Sequence, residues 1–300
     1  MPLMSFDEIH AAARARGKKR VVVAGADDDT ALTALSAAYA TGMVTPIAVG
    51  EPQQIQRIAA QINVSLEGFT IVAVSTPDEA ARVAVRMVRD GAADIYMKGN
   101  IPTSAFMHAA LDRHEGLRAG QLLSHATVIW SEKIKRTFII TDGGINIQPT
   151  LEEKAAILAN ALPLARLLGS PRPKVAVMAA VEKINSKMPA TMDAAKLARM
   201  GDDGVFGDCN VGGPFALDNA VCEEAARKKG ISHAVAGHAE IMLAPDIHSG
   251  NLMSKAIMYF AECHCGGIVM GASVPIVFLS RADTAATRLN SLALGVLTAN

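Results

Sequence analysis

Aromatic side chains are scarce in this chain: 4% of the residues are Phe, Tyr or Trp, and there is a single tryptophan. Half of the residues are nevertheless apolar. The core must therefore be built from Ala, Val, Ile, Leu and Met, which suits helices packed on a parallel sheet better than an all-β architecture. Net charge is missing as well, with 29 basic against 29 acidic residues. A neutral chain has no long-range field to draw it to nucleic acid or to an anionic membrane, so any phosphate has to be met locally. The four cysteines, Cys209, Cys222, Cys263 and Cys265, all lie in the C-terminal half. They make no disulfide framework, and 300 residues bury a core without one. No stretch reaches the roughly 18 uninterrupted apolar residues of a membrane span. Residues 1–20 lack the apolar segment of a signal peptide, and Asp7 and Glu8 argue against a transit peptide. They read as a first surface helix, and the expected compartment is the cytoplasm.

What is present is alternation. RVVVAGA (20–26), TPIAVG (45–50), TIVAV (70–74) and ADIYMKG (93–99) are strand-like, and helical patterns separate them. Strands spaced by 10–15 helical residues mean βαβ units and a parallel sheet. Gly42 is placed to end one helix, and Thr76-Pro77-Asp78-Glu79 to begin another. ATVIW (126–130) and RTFIITDGGI (136–145) form a strand pair whose short connection allows antiparallel pairing. Thr150 and Glu153 are spaced as a capping box for a long helix. The second half continues with a strand at 174–181, a helix from Pro189 to Met200, a loop at 207–214, a helix at 215–230, a strand at 239–246, a helix at 249–262 and strand material from 266. Two α/β lobes joined near residues 140–150 are the natural division.

Polar groups gather where apolar runs stop, and parallel sheets carry ligand chemistry at such strand ends. Lys98-Gly99-Asn100 with Thr103 combines a cation, a flexible backbone and hydrogen-bonding side chains before a helix, an arrangement suited to an anion. Asp142-Gly143-Gly144 with Asn146, Gly213-Pro214, and Asp246 with Gly250-Asn251 are further strand-end or loop clusters. The sharpest lies at the end of the run Ile276–Leu279, where Ser280-Arg281-Ala282-Asp283 precede a helix marked by Leu289, Leu292 and Leu294. An N-cap Ser and an early Asp suit a helix start, but an Arg there opposes the helix dipole, which favours a functional reason. AGADDD (24–29) sits where a dinucleotide would bind but lacks the glycine pattern, and its aspartates would repel a pyrophosphate; a capped turn is the better reading. Cys263-His264-Cys265 lacks a second ligand pair at usable spacing and reads as packing at a helix end. No metal site is expected.

MKGNIPT (97–103), GLRAGQLLSH (116–125), ITDGGINIQPT (140–150), VEKINSKMPAT (181–191), GGPFALDNA (212–220), APDIHSGNLMSKA (244–256) and VPIVFLSRADT (274–284) occur in order. With them the chain resembles the phosphate acetyl/butyryl transferase family, most closely its butyryltransferase-like branch. The resemblance implies two α/β/α lobes with a cleft, as in isocitrate and isopropylmalate dehydrogenases, the last helix returning to the first lobe. That places residues 1–144 with 276–300 in one lobe and 145–275 in the other. It also implies a homodimer, and acyl transfer between coenzyme A and phosphate by direct thiolate attack, with coenzyme A as a substrate and no cofactor. The partners would be acyl-CoA, phosphate and acyl phosphate. By similarity Ser280 would bond the thiol and Arg281 would stabilise transition-state charge. The acetyltransferase branch places its catalytic Asp further along the helix, near Thr287 here; the nearest carboxylate, Asp283, is assigned as base. Arg118, in its GLRAG context, is assigned to substrate. Two other functions stay open: a metal- and nicotinamide-dependent hydroxy-acid dehydrogenase of the same fold, which needs paired aspartates at helical spacing where Asp202 and Asp203, being adjacent, do not face one site, and a non-catalytic acyl-CoA sensor.

Overall fold

A computed structural model describes residues 3–278, 280 and 282–300. Helix α1 (Phe6–Ala15) leads into β1 (Lys19–Ala24), α2 (Asp29–Ala40), β2 (Val44–Gly50), α3 (Pro52–Gln61), β3 (Thr70–Ala73), α4 (Pro77–Arg89), β4 (Ile95–Lys98) and α5 (Thr103–Leu111). The punctuation is that anticipated from sequence. Asp28 caps α2 by accepting from the Ala31 amide, Thr76 caps α4 through the Glu79 amide, and Pro opens both α3 and α4. Gly42, just after α2, takes a φ of 76°, which only glycine adopts without strain. Next come β5 (Ser124–Ser131), β6 (Arg136–Thr141), α6 (Leu151–Leu167), β7 (Lys174–Met178), α7 (Pro189–Asp202), β8 (Asn210–Phe215), α8 (Leu217–Val221), α9 (Glu223–Lys228), β9 (Ile241–Leu243) and α10 (Ile247–Phe260). The chain closes with β10 (Cys263–Met270), β11 (Ile276–Val277) and α11 (Ala285–Thr298).

Two compact units result: Phe6–Gln121 with Gly266–Asn300, and Leu122–Cys265 with the N-terminal residues up to Ser5. In the first, strands run in the order β3-β2-β1-β4-β11-β10. All neighbours are parallel except β10 and β11. Residues Val21–Ala24, Ile95–Met97 and Ile276–Val277 are fully buried, as continuous apolar strands between two helical layers should be. One layer holds α1, α2 and α11, which pack on one another. The other holds α4 and α5, where Phe106 stacks on Tyr96 of β4 with ring centroids 4.2 Å apart. Burial pushes the Tyr96 phenol up in pKa, so it stays neutral.

In the second unit β5 and β6 form an antiparallel hairpin, and β6, β9, β7 and β8 follow in parallel. Ile129, Phe138, Ile140, Met178, Phe215 and Met242 form its core. The hairpin belongs with this unit, so the boundary falls at 121/122 and not at 144/145 as drawn from sequence. The return crossing falls likewise at 265/266 and not at 275/276, because β10 carries its last five residues into the first unit. Three local readings also change. Residues 210–215 are strand β8 where a loop was expected, the 215–230 helix is broken at Cys222, and Cys263-His264-Cys265 open a strand. In β8 the pair Gly212-Gly213 masks strand character, yet both are there for close packing. A Cβ on Gly212 would lie 2.6 Å from His233 Cε1, and one on Gly213 2.9 Å from Val177 Cβ.

The capping box of α6 is formed in full: Thr150 Oγ1 accepts from the Glu153 amide at 3.2 Å and Glu153 Oε2 from the Thr150 amide at 2.8 Å. Thr150→Ala should therefore lower stability by about 1 kcal/mol, read as a lower urea midpoint at unchanged slope; an unaltered midpoint would show the box to be idle.

Candidate active site

In the first unit the strand order reverses at β1 and β4, whose crossover helices leave on opposite sides; this is the switch point at which α/β sheets bind ligands. The turns that follow β1 and β4 meet there. Val277 of β11 lies opposite Met97 of β4 in a parallel pair, and the ring of Phe278 lies 6.0 Å from that of Phe106 in α5. Lys98 is 4% exposed and its Nζ donates to the Gly99 carbonyl at 3.2 Å. It shares the strand face of Tyr96, the one covered by α5, since side chains alternate along a strand. Helix α5 begins at Thr103 after Pro102, with no side-chain cap, leaving its first amides for another acceptor.

Backbone closeness fixes this corner. The Asn100 amide donates to the Gly25 carbonyl at 2.7 Å, and Gly25 holds a φ of 77°. A Cβ on Gly99 would strike the Gly25 carbonyl oxygen and lie 2.8 Å from its carbon. Asn100 Nδ2 also donates to Asp27 Oδ2 at 3.2 Å. The AGADDD segment is thus the capped turn expected of it, and it reaches two neighbours that the sequence did not reveal: Asn100, and the buried Arg288 of α11, whose Nη1 lies 3.3 Å from Asp28 Oδ2.

Of the trio at the end of β11, Arg281 lies outside the described residues. Ser280 is exposed and its Oγ accepts from the Ala282 amide at 3.4 Å. Asp283 Oδ2 accepts from the Ser280 amide at 2.8 Å, and Thr284 caps α11 through the Thr287 amide. Ser280 and Asp283 therefore share one tight turn. Arg118 lies in the same unit; its Nε donates to the Leu111 carbonyl at 2.7 Å, and its backbone bridges Ala272. A groove of about 640 Å³ between α4 and α5 is lined by Arg82, Arg86, Arg89 and His108 together with Asp78, Asp112 and Glu115, over a floor of Val85 and Ala109. The sequence reading passed it over because its arginines look like an ordinary solvated helix face.

In the second unit the ends of the adjacent parallel strands β6 and β9 bring together five of the expected residues. The Asp142 carboxylate is 2% exposed and accepts from the amides of Gly144, Ile145 and Asn146 and from Asn146 Nδ2. Asn251 Nδ2 donates to the Gly143 carbonyl at 3.0 Å, and a Cβ on Gly250 would lie 2.5 Å from the backbone carbonyl oxygen of Asp142. Asp246 caps α10 through the Ser249 amide at 2.8 Å. Asp142 and Asn146 thus shape a loop with their own side chains, and His125 packs under it, its Cβ 3.1 Å from where a Gly144 side chain would begin. Gly213 and Pro214 do not join this cluster; they lie within β8, beyond β7 from β9. Met97 and Met242 are fully buried in strands. Asp202 and Asp203 end α7 as exposed residues, Asp203 3.9 Å from Arg199. Cys263 Sγ lies 3.7 Å from the Ile257 carbonyl, Cys265 is buried and His264 lies 3.5 Å from Glu132.

Gly99→Ala should destabilise the protein by about 1–3 kcal/mol or more, because backbone and not a movable side chain occupies the space. Gly17→Ala gives the opposite case, a φ of 84° that strains a side chain but nothing within 4 Å to crowd it. A loss of melting temperature for Gly99→Ala no larger than that for Gly17→Ala would contradict the packing argument.

The family described as Phosphate acetyl/butaryl transferase matches residues 4–82 and 73–296. A phosphate butyryltransferase of Clostridium acetobutylicum is 42% identical over 99% of each chain. A phosphate acetyltransferase of Thermotoga maritima is 39% identical over 98% of this chain and 99% of its own. Among solved structures, a branched-chain phosphotransacylase from Enterococcus faecalis superposes with a TM-score of 0.83 at 28% identity, covering 93% of this chain and 98% of its own. A 4-hydroxythreonine-4-phosphate dehydrogenase from Burkholderia phymatum superposes with a TM-score of 0.54 at 12% identity over 94% of this chain and 98% of its own, a likeness of fold alone. With a family match over nearly its whole length and relatives of about 40% identity, the chain is an acyltransferase with the dehydrogenase-like α/β fold and belongs to the phosphate acetyl/butyryl transferase family.

Proposed function

We propose that the protein moves a short acyl group reversibly between coenzyme A and inorganic phosphate, by direct attack of the coenzyme A thiolate on the carbonyl of the acyl phosphate. The observation that carries this reading is the pairing of β11 with β4, which sends the Ser280–Asp283 turn and the buried Lys98 out of adjacent strands. In the direction of thioester synthesis the thiol hydrogen-bonds Ser280 and gives its proton to Asp283. The sulfur–carbon bond forms, negative charge builds on the carbonyl oxygen, and the carbon–oxygen bond to phosphate breaks. Arg281 stabilises that charge, while Lys98 and the uncapped amides of α5 receive the departing phosphate. Gly99, Asn100, Thr103 and Arg118 line the same side of the reaction. Asp142, Asn146, Asp246, Gly250 and Asn251 hold a second substrate-binding loop, and Gly213-Pro214 support that unit's sheet.

The protein works in the cytoplasm as a homodimer. No helix among the described residues is long and apolar enough to cross a membrane. All the exposed large apolar side chains among the described residues fall between Ile134 and Phe260, and α10 presents Leu252, Tyr259 and Phe260 at 70, 68 and 92% exposure. A monomer gains nothing from such a helix, whereas a second copy would cover it.

Purified protein mixed with acetyl or butyryl phosphate and coenzyme A should form thioester, and Arg281→Ala should lower kcat by about 10²-fold or more with its fold kept. Absence of thioester with either acyl phosphate would sink the proposal, and the faster of the two sets the chain length. Phe260→Asp should convert the dimer to a monomer in light scattering; a wild type already monomeric would remove the dimer.

A further inference from the structure

The turn after β1 is placed between two segments of the proposed reaction centre and holds each with one carboxylate. Asp27 takes Asn100 at 3.2 Å, and Asp28 takes Arg288 at 3.3 Å. Asp28 is already committed to the chain: its Oδ1 caps α2 through the Ala31 amide and accepts from Thr30 Oγ1 at 2.7 Å. Its other oxygen meets a guanidinium that is 3% exposed and sits in the first turn of α11, its amide bonded to the Thr284 carbonyl. Thr284 is the cap of that helix and directly follows the Ser280–Asp283 turn. As a stabiliser the pair is poorly made. Arg288 Nε is buried with no partner, and an ion pair taken out of water without full hydrogen bonding is often no better than an apolar pair of the same size. Its geometry is suited to registry, since a guanidinium paired to a fixed helix cap allows one rotation and one height of α11.

We propose that Asp28 and Arg288 are a positioning pair for acyl transfer, setting the pose of the Ser280–Asp283 turn against the strand end that carries Lys98. This rests on the reaction assigned to that turn above. Neither residue touches the reactants; they act through the first turn of α11, and a one-ångström displacement there is enough to cost about 10²-fold in rate.

The test uses the full-length protein with Asp28→Asn and Arg288→Met combined, which removes both charges and leaves neither buried alone; Asn keeps the helix cap. Arg288→Lys and Asp28→Asn alone are run beside it. The double variant should melt close to the wild type, yet amide hydrogen exchange over residues 280–287 should rise by about tenfold with the rest of the chain unchanged. Its kcat should fall by about 10- to 100-fold while KM stays within about threefold. Arg288→Lys, which keeps the pairing, should restore most of kcat. Wild-type exchange over 280–287 in the folded double variant overturns the proposal whether or not an activity has been found, and so does a wild-type kcat. Should the double variant fail to fold, Asp28→Asn decides on the same two readouts. A wild type that forms no thioester counts against the reaction, and the exchange measurement then judges the pair by itself.

Discussion

No side chain fits on Gly99. The carbonyl of Gly25 lies where its Cβ would be, and the Asn100 amide closes on that same carbonyl. This approach of two strand ends brings the turn after β1 and the turn after β4 to one point, and much of what surrounds the proposed reaction centre follows from it. Asp27 can reach Asn100 because the backbones touch. Lys98 is buried because its strand is closed over by α5 on one side and by neighbouring strands on either edge. An amide-rich, water-poor corner with one cation is an effective place to stabilise a developing anion, since fixed dipoles need no rearrangement as charge appears.

Charge is distributed accordingly. A chain with no net charge satisfies several of its carboxylates with backbone amides. Asp142 is the extreme case: four donors converge on a carboxylate that is almost fully buried. Such a group has little capacity left for a ligand, and its contribution is the shape of the loop that Gly143 and Asn251 complete. Asp246 does the same for α10 as a cap. Asp283 likewise closes a turn, its Oδ2 accepting from the Ser280 amide.

The parallel sheet, the order of elements through β4 and the caps at Thr76 and Thr150 were legible in sequence, because β-branched runs, proline and capping residues act locally. The Ser280–Asp283 turn was legible because a polar cluster ending an apolar run is visible without a fold. Strand β8 was not: Gly212, Gly213 and Pro214 read as loop chemistry, and only the crowding of Val177 and His233 explains why residues without side chains are needed there. The hairpin of β5 and β6 was recognised but given to the wrong neighbour, since nothing in a strand's own residues says which sheet it will join. The pair Asp28–Arg288 spans most of the chain, and an Arg in an apolar helix has no local mark distinguishing it from a surface residue.

Strand β4 is made early, but its partner β11 and the covering helix α11 come from the segment after residue 265. Between them the ribosome produces the whole of 122–265. During that interval one edge of β4, apolar and fully buried in the finished protein, has unpaired amides and carbonyls, the kind of edge that recruits stray strands. The first unit is thus a fold with a delayed closing step, and the turn proposed to carry the reaction is synthesised together with the strand that seals it.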